Sequence, residues 1–160
     1  MAISHGLQPL LLLLLLSLFF LPAALGAFVN FTNCGVSNGV RHVNVTSVDV
    51  NPYPLGLGEN ATFTITAVTN FNNRTAGNVL FRALSGPSAL NWVQKTYSLC
   101  DVTACPVTPG PIVFNFPIFI PRSGIKVINQ SEYYAEMRMY ERIVYPSMCV
   151  VFRFPIRNWT

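Results

Sequence analysis

The stretch "NATFTITAV", residues 60–68, decides the fold class of this chain. Threonines and apolar residues alternate along it, in the order Thr62, Phe63, Thr64, Ile65, Thr66, Ala67. Because successive side chains of a β-strand point to opposite faces, this alternation predicts a strand with one face in water and the other in a core. "HVNV" at residues 42–45 repeats the pattern, with Val43 and Val45 on the face opposite Asn44.

Four further strands are predicted at residues 78–84, 112–118, 133–140 and 149–156. The segments between the strands contain Pro and Gly, as in "NPYPLGLG", "LSGPS", "VTPGP" and "PRSG", and these residues interrupt any long helix. Short strands separated in this way indicate an all-β domain, either a sandwich or a barrel.

Several predicted strands are unusually apolar. "IVFNFPIFIP", "YYAEMRMY" and "VVFRFPI" each place large apolar residues at alternate positions. Such a face fits an ordinary filled core. It also fits an adaptable apolar cavity, because the methionines at 137 and 139 have flexible, polarizable side chains. Periodicity leaves both alternatives open.

The N-terminus indicates the secretory pathway. Residues 10–21 read "LLLLLLLSLFFL" and are followed by Pro22 and the small residues "AALGA". A span of the bilayer needs about 20 apolar residues, so this shorter run predicts a signal peptide over residues 1–26. An uncleaved anchor is the alternative. One mature domain over residues 27–160 then remains, in an oxidising lumen or outside the cell.

Potential glycosylation sites support the same routing. Six asparagines stand two positions before Ser or Thr, the acceptor pattern for N-linked glycans. They are Asn30, Asn44, Asn60, Asn73, Asn129 and Asn158.

The four cysteines predict two disulfides, for which three connectivities exist. Cys100 and Cys105 enclose only "DVTA", and Cys34 and Cys149 stand near opposite ends of the mature chain. The spacing therefore favours one local bridge and one bridge that joins the terminal regions. A zinc site is the competing interpretation, but these spacings suit metal ligands poorly.

Charge and composition argue against catalysis and nucleic-acid binding. The net charge of +4 is scattered, with no run of Lys or Arg. His42 is the one histidine that survives cleavage, which makes a Ser-His-Asp arrangement improbable. Glu132, Glu136 and Glu141 are interpreted as exposed charges rather than a glycosidase pair. We therefore expect no enzyme activity, no cofactor and no metal.

Beyond these patterns, the chain resembles a known family. The residues that carry the resemblance are Asn33-Cys34-Gly35, the segment 39–70, "LCDVTACPVTPG" at residues 99–110, and Cys149 in a late strand. Together they are similar to the ML lipid-recognition domain, the family of the soluble Niemann-Pick type C sterol carrier. The plant secretory members, of the phosphatidylglycerol/phosphatidylinositol transfer type, are the most similar in their "LCD…CP" form.

The resemblance implies a fold, two bridges and a site. The fold is an immunoglobulin-like sandwich of two antiparallel sheets with an apolar cavity between them, and the bridges are Cys34–Cys149 and Cys100–Cys105. Trp92 corresponds to an aromatic residue at the cavity mouth, and Met137 corresponds to an inward-facing aromatic residue. The candidate wall residues are Phe63, Ile65, Trp92, Phe114, Phe116, Ile118, Met137, Met139, Val150, Phe152 and Phe154.

The sequence and the resemblance together predict a secreted, non-enzymatic protein that binds or transfers a lipid, either a sterol or a phospholipid. Its polar head would stay near a mouth formed by Trp92, Tyr133, Lys126 and Arg122, where the short bridge would fix the loop. We expect transient membrane contact and a location in the apoplast or in a vacuolar or lysosomal lumen. The alternative is a glycosylated interaction domain that acts as the co-protein of a receptor or membrane protein.

Overall fold

The computed structural model describes residues 26–34, 42–85, 90–122, 133–140 and 146–157. Within these ranges the chain forms nine strands and one short helix. They are β1 (Ala27–Phe28), β2 (Phe31–Asn33), β3 (Val43–Asn51), β4 (Glu59–Thr69), β5 (Asn78–Ser85), β6 (Leu90–Ser98), α1 (Leu99–Val102), β7 (Gly110–Ile120), β8 (Tyr133–Tyr140) and β9 (Pro146–Arg153). No helix in these ranges has the length and apolar character needed to cross a membrane. The predicted signal peptide lies outside the described residues, apart from Gly26.

The strands form two antiparallel sheets, as predicted. The four-stranded sheet has the order β1-β3-β4-β7, and the five-stranded sheet has the order β2-β9-β8-β5-β6. The fold is therefore an all-β, immunoglobulin-like sandwich.

The longest pairing joins β4 to β7. Its register runs without a shift from Glu59 opposite Ile120 to Thr69 opposite Gly110. From Asn60 and from Pro111 onward, the two strands alternate strictly between buried and more exposed residues, because one face lies in the core and the other faces solvent. The edge strands of the four-stranded sheet are the two-residue β1 and the long β7, which contains Pro111 and Pro117.

The two sheets meet in an aromatic cluster around Phe63 of the four-stranded sheet. Its ring centroid lies 5.2 Å from that of Phe81 and 5.7 Å from that of Phe152, both in the five-stranded sheet. Phe154, just after β9, lies at 5.8 Å. At this level the inner faces are in direct contact, so this part of the sandwich is filled.

The predicted last strand, 149–156, is displaced in the structure. The observed strand β9 begins at Pro146 and ends at Arg153. Pro155 lacks an N–H and cannot continue the ladder. The chain beyond it pairs instead with the loop before β4, where Leu55 forms a bridge with Ile156. The sequence patterns had not predicted β1, β2, β6 or α1.

Both disulfides implied by the resemblance are present. The Cα atoms are 5.2 Å apart in Cys34–Cys149 and 5.4 Å apart in Cys100–Cys105. The first bridge joins the end of β2 to β9, and the second joins α1 to the loop before β7.

Candidate functional site

The structure places ten of the eleven predicted wall residues between the sheets, all of them buried. They are Phe63 and Ile65 of β4, Phe114, Phe116 and Ile118 of β7, Met137 and Met139 of β8, Val150 and Phe152 of β9, and Phe154. Trp92 lies in β6, and its side chain falls outside the described residues. These positions meet the geometric requirement for contact with an enclosed lipid. Contact itself stays a prediction.

Other inward residues were absent from the prediction. Val79 and Phe81 of β5 and Tyr97 of β6 are buried on the inner face of the five-stranded sheet. Next to them, Ala83 pairs directly with Ala135, and these two small side chains leave a depression in the inner face of the sheet. The alternation in residues 78–84 could have identified the β5 pair, because Val79, Phe81 and Ala83 occupy every second position.

Three methionines form a flexible part of the same inner face. Met139 pairs with Met148 across β8 and β9, and Met137 is the next inward residue of β8. All three are buried. Unbranched thioether side chains can change rotamer to follow the shape of a neighbour, so this patch can adjust to an inserted chain more readily than the Phe63 cluster.

On one side of the sandwich the sheets are joined by side chains of β6. The Tyr97 hydroxyl donates a hydrogen bond of 2.7 Å to the Pro117 carbonyl oxygen on β7, and Lys95 Nζ donates to the same oxygen at 3.4 Å. The Tyr97 ring lies edge-on to Phe116 at 5.5 Å, and Lys95 Nζ is 4.6 Å from the centre of the Tyr97 ring. We call these contacts the β6–β7 clasp.

Tyr97 is the buried member of the clasp. Burial raises the pKa of its hydroxyl to about 12, because the phenolate would lose hydration. The hydroxyl is therefore protonated, and able to donate, across the whole range of physiological pH. Lys95 is exposed, so its ammonium group stays in contact with water.

On the other side the backbone itself joins the sheets. The chain passes from β1 to β2 through Val29 and Asn30, and Val29 donates a backbone hydrogen bond of 2.9 Å to Val48. On this side a two-residue crossover of the backbone joins the sheets. On the side of the clasp the backbone connection from β6 to β7 runs through residues 99–109, and the side-chain contacts join the two strands themselves.

Two expectations about the mouth are wrong. Tyr133 is buried rather than at an open rim, and it stacks on Phe154 with ring centroids 6.2 Å apart. The short Cys100–Cys105 bridge follows the end of β6, whereas Trp92 lies near its beginning. Seven or eight residues of extended strand span about 25 Å, so the bridge and Trp92 belong to opposite ends of the sandwich.

Of the two remaining mouth candidates, Arg122 lies at the end of the sandwich that carries Trp92. Arg122 is exposed just beyond β7, and its Nε donates to the Leu57 carbonyl oxygen at 3.3 Å. Lys126 lies outside the described residues.

Two surface grooves lie away from the inner faces. One, of about 570 Å³, is formed by residues 101–104, 106–108 and 111–113 together with Asn115. The other, of about 620 Å³, is formed by residues 28–32 and 151–153 with Tyr53 and Tyr134. Each includes outward residues of one sheet, so neither is the predicted cavity between the sheets.

The charged groups considered for catalysis have structural partners. His42 Nδ1 lies 3.0 Å from Asn70 Oδ1, and the ring stacks on Phe71. The expectation that Glu136 is exposed is wrong. It is buried on the outer face of the five-stranded sheet, where it accepts a 2.8 Å hydrogen bond from Arg138 Nε. Glu132 and Glu141 lie outside the described residues.

The competing interpretation of the cysteines as a zinc site lacks free thiolates to bind the metal. Cys34, Cys149 and Glu136 lie close together, but both sulfur atoms belong to the disulfide and leave a single carboxylate as a ligand.

Four of the six candidate glycosylation sites fall within the described residues, and all four are exposed. They are Asn30 between β1 and β2, Asn44 on β3, Asn60 on β4 and Asn73 in the loop after β4. Asn129 and Asn158 lie outside the described residues.

A comparison with protein families matches residues 28–156 to the ML domain. The chain belongs to the ML domain family. This match spans every strand from β2 to β9 and includes both disulfides.

Relatives with similar sequences are known in Arabidopsis thaliana. The chain is 45% identical over 123 residues to "MD-2-related lipid-recognition protein ROSY1". This alignment covers 76% of the present chain and 72% of the relative. It is 42% identical over 105 residues to "MD-2-related lipid-recognition protein 3", and this second alignment covers 66% of the present chain and 61% of the relative.

A solved structure supports the fold. The Niemann-Pick type C2 protein of the Japanese carpenter ant superposes with a TM-score of 0.52 at 11% identity, over 80% of this ML domain protein and 99% of the ant chain. At this identity the similarity concerns the architecture alone.

Proposed function

We propose that this ML domain protein is a secreted, non-enzymatic lipid carrier that holds the apolar part of a sterol or phospholipid between its two sheets. One observation carries the proposal. Two apolar inner faces lie between the sheets, and the side-chain contacts of the β6–β7 clasp join the sheets at one edge. The names of the Arabidopsis relatives, which describe lipid recognition, support it.

The clasp provides a route for entry. When the Tyr97 hydroxyl leaves the Pro117 oxygen, the edges of β6 and β7 separate and the lipid enters sideways between the sheets. The methionine patch then adjusts to the ligand. Each apolar Å² removed from water contributes about 25 cal/mol, which offsets the packing that the two sheets give up when they separate.

Lys95 gives the site a preference among head groups. Its ammonium group lies at the same edge and loses one acceptor when the clasp opens. A phosphate or carboxylate head at this edge would replace that acceptor, whereas a sterol hydroxyl would gain less from the charge. Lys95→Gln should therefore weaken binding of an acidic phospholipid and leave sterol binding nearly unchanged.

The proposed location is the secretory pathway, ending outside the cell or in a vacuolar or lysosomal lumen. The apolar N-terminal run, the sequons and the two disulfides support this routing. The partners are then the lipid and, transiently, the membranes that donate and accept it.

Native mass spectrometry of the secreted protein tests the proposal, followed by organic extraction and lipid identification. A stoichiometric sterol or phospholipid is the expected result. A protein without lipid, which also takes up none from mixed vesicles, would contradict it and favour the receptor co-protein function.

A pair of arginine variants on one strand tests the location of the ligand. Phe116→Arg places a charge between the sheets, and we expect lipid uptake to be lost. Val113→Arg adds the same charge to the outer face of β7, so its uptake should be normal. Normal uptake by a folded Phe116→Arg protein would exclude an inter-sheet site near Phe116.

A further inference from the structure

Several of the large apolar residues that remain exposed lie close to a sequon asparagine. Among the described residues five such side chains face solvent: Phe28, Tyr53, Val68, Val113 and Phe119. A lone exposed apolar residue needs no explanation. Two of these five, however, lie directly opposite a sequon asparagine on the neighbouring strand, and a third stands two positions before one, which suggests a shared cause.

Two of the neighbours are cross-strand pairs on the outer face of the four-stranded sheet. Asn60 of β4 lies directly opposite Phe119 of β7, and Asn44 of β3 lies directly opposite Val68 of β4. Phe119 is 57% exposed and Val68 is 47% exposed. Directly opposed residues have Cβ atoms about 4.5–5.5 Å apart, so their side chains touch or lie side by side.

The third neighbour precedes its sequon along the chain. Phe28, which is 81% exposed, stands two positions before Asn30. Asn73 supplies a contrast within the same chain. Phe71 also stands two positions before that asparagine, but it is buried and stacks on His42.

We propose that Asn60 carries an N-linked glycan whose first sugar covers Phe119, and that the sugar at Asn44 covers Val68 through apolar contact alone. N-acetylglucosamine presents a row of C–H groups on one face of its ring. The negative face of an aromatic ring attracts such groups, and both surfaces lose contact with water when they meet. The sugar is attached one bond beyond the Asn60 amide, within reach of the opposite side chain.

The attachment is the ordinary group transfer of the secretory pathway. A lipid-linked oligosaccharide diphosphate is the donor. Asn60 Nδ2 forms a bond with C1 of the sugar and loses one proton, while the bond from C1 to the phosphate oxygen breaks and the lipid diphosphate leaves. The inference rests on the secretory routing of the proposed function and is independent of lipid binding.

Peptide mapping of the full chain after secretion from a eukaryotic host measures occupancy at Asn60. Thermal unfolding of wild type, Asn60→Gln, Phe119→Thr and the double variant then measures the coupling between sugar and ring. We expect Asn60 to be occupied. Its replacement should lower the midpoint by about 2–4 °C in wild type and by much less in the Phe119→Thr background.

Val113→Thr is the matched control for this cycle. Val113 is exposed on the same face of β7, but it lies opposite Thr66 rather than a sequon asparagine. The loss caused by Asn60→Gln should be the same in the Val113→Thr background as in wild type. After enzymatic removal of the glycans, the wild type, Asn60→Gln, Phe119→Thr and their double variant should show no coupling between positions 60 and 119.

An unoccupied Asn60 in the secreted protein overturns the inference, and so does an equal loss of stability with and without Phe119. Lipid extraction from the same material separates this result from the carrier function. A glycosylated protein without lipid contradicts the carrier function alone, whereas a lipid-loaded protein with bare Asn60 contradicts the glycan contact alone. A chain that is neither secreted nor glycosylated contradicts both.

Discussion

Removal of one hydroxyl group should accelerate lipid exchange. Tyr97→Phe deletes the 2.7 Å hydrogen bond to Pro117 and leaves the ring against Phe116. A bond of this kind contributes about 0.5–1.5 kcal/mol net. Because the Pro117 oxygen keeps Lys95 as a second donor, no buried acceptor is left without a partner, and we take a value of about 1 kcal/mol. If clasp opening limits exchange, this value corresponds to about a fivefold faster rate at 25 °C.

Stopped-flow fluorescence measures this rate directly. The protein is loaded with dehydroergosterol, a fluorescent sterol, and mixed with phosphatidylcholine acceptor vesicles. Tyr134→Phe is the matched control, because it removes the same hydroxyl group from the outer face of the five-stranded sheet. We expect release about fivefold faster from Tyr97→Phe and at the wild-type rate from Tyr134→Phe.

Two results would refute this reasoning. Wild-type release from a folded Tyr97→Phe protein would show that the lipid leaves by another route. Equal acceleration in both variants would show that loss of a hydroxyl group, rather than opening of the clasp, changes the rate.

Further predictions concern stability. The pKa of Tyr97 is about 12 in the folded protein and about 10 in an unfolded chain. The protonated Tyr97 hydroxyl therefore contributes fully to the free energy of unfolding below about pH 10, and this contribution is lost as the pH rises toward 12. In denaturant titrations at alkaline pH, the free energy of unfolding should fall less for Tyr97→Phe than for wild type. Glu136→Gln removes a charge held between two arginines and should cost about 1–3 kcal/mol in urea unfolding; an unchanged midpoint would contradict the pairing. Replacement of Cys34 and Cys149 by serine opens a bridge with a separation of 115 residues and should cost about 5 kcal/mol. A loss no larger than that from the short loop bridge would contradict this estimate.

The sequence predicts the strands whose two faces differ. In β4 and β7 each threonine, proline or asparagine on the outer face alternates with an apolar residue inside, so a local pattern is sufficient. The alternating pattern does not predict β6, because Lys95 occupies an inward position at the edge of the sheet. An edge strand has one flank in water, so it tolerates a polar residue that a central strand would exclude.

The clasp and the buried carboxylate depend on distant partners. Tyr97 and Pro117 are 20 residues apart and belong to different sheets, and Glu136 is covered partly by Arg82 from another strand. Tyr133 is buried because Phe154, beyond the end of β9, stacks on it. These contacts arise from the pairing of strands and the packing of the sheets, on which the local pattern of residues gives no information.

The prolines of β7 affect how this protein behaves beside other copies of itself. Strand β7, which carries many large apolar residues, stands at a free edge, where another chain could pair with it and start aggregation. Pro111 and Pro117 offer no N–H to such a partner, and the Pro117 carbonyl oxygen is already occupied by Tyr97 and Lys95. The contact that closes the sandwich therefore also hinders edge-to-edge pairing of β7 with other chains in the crowded lumen through which the protein is proposed to travel.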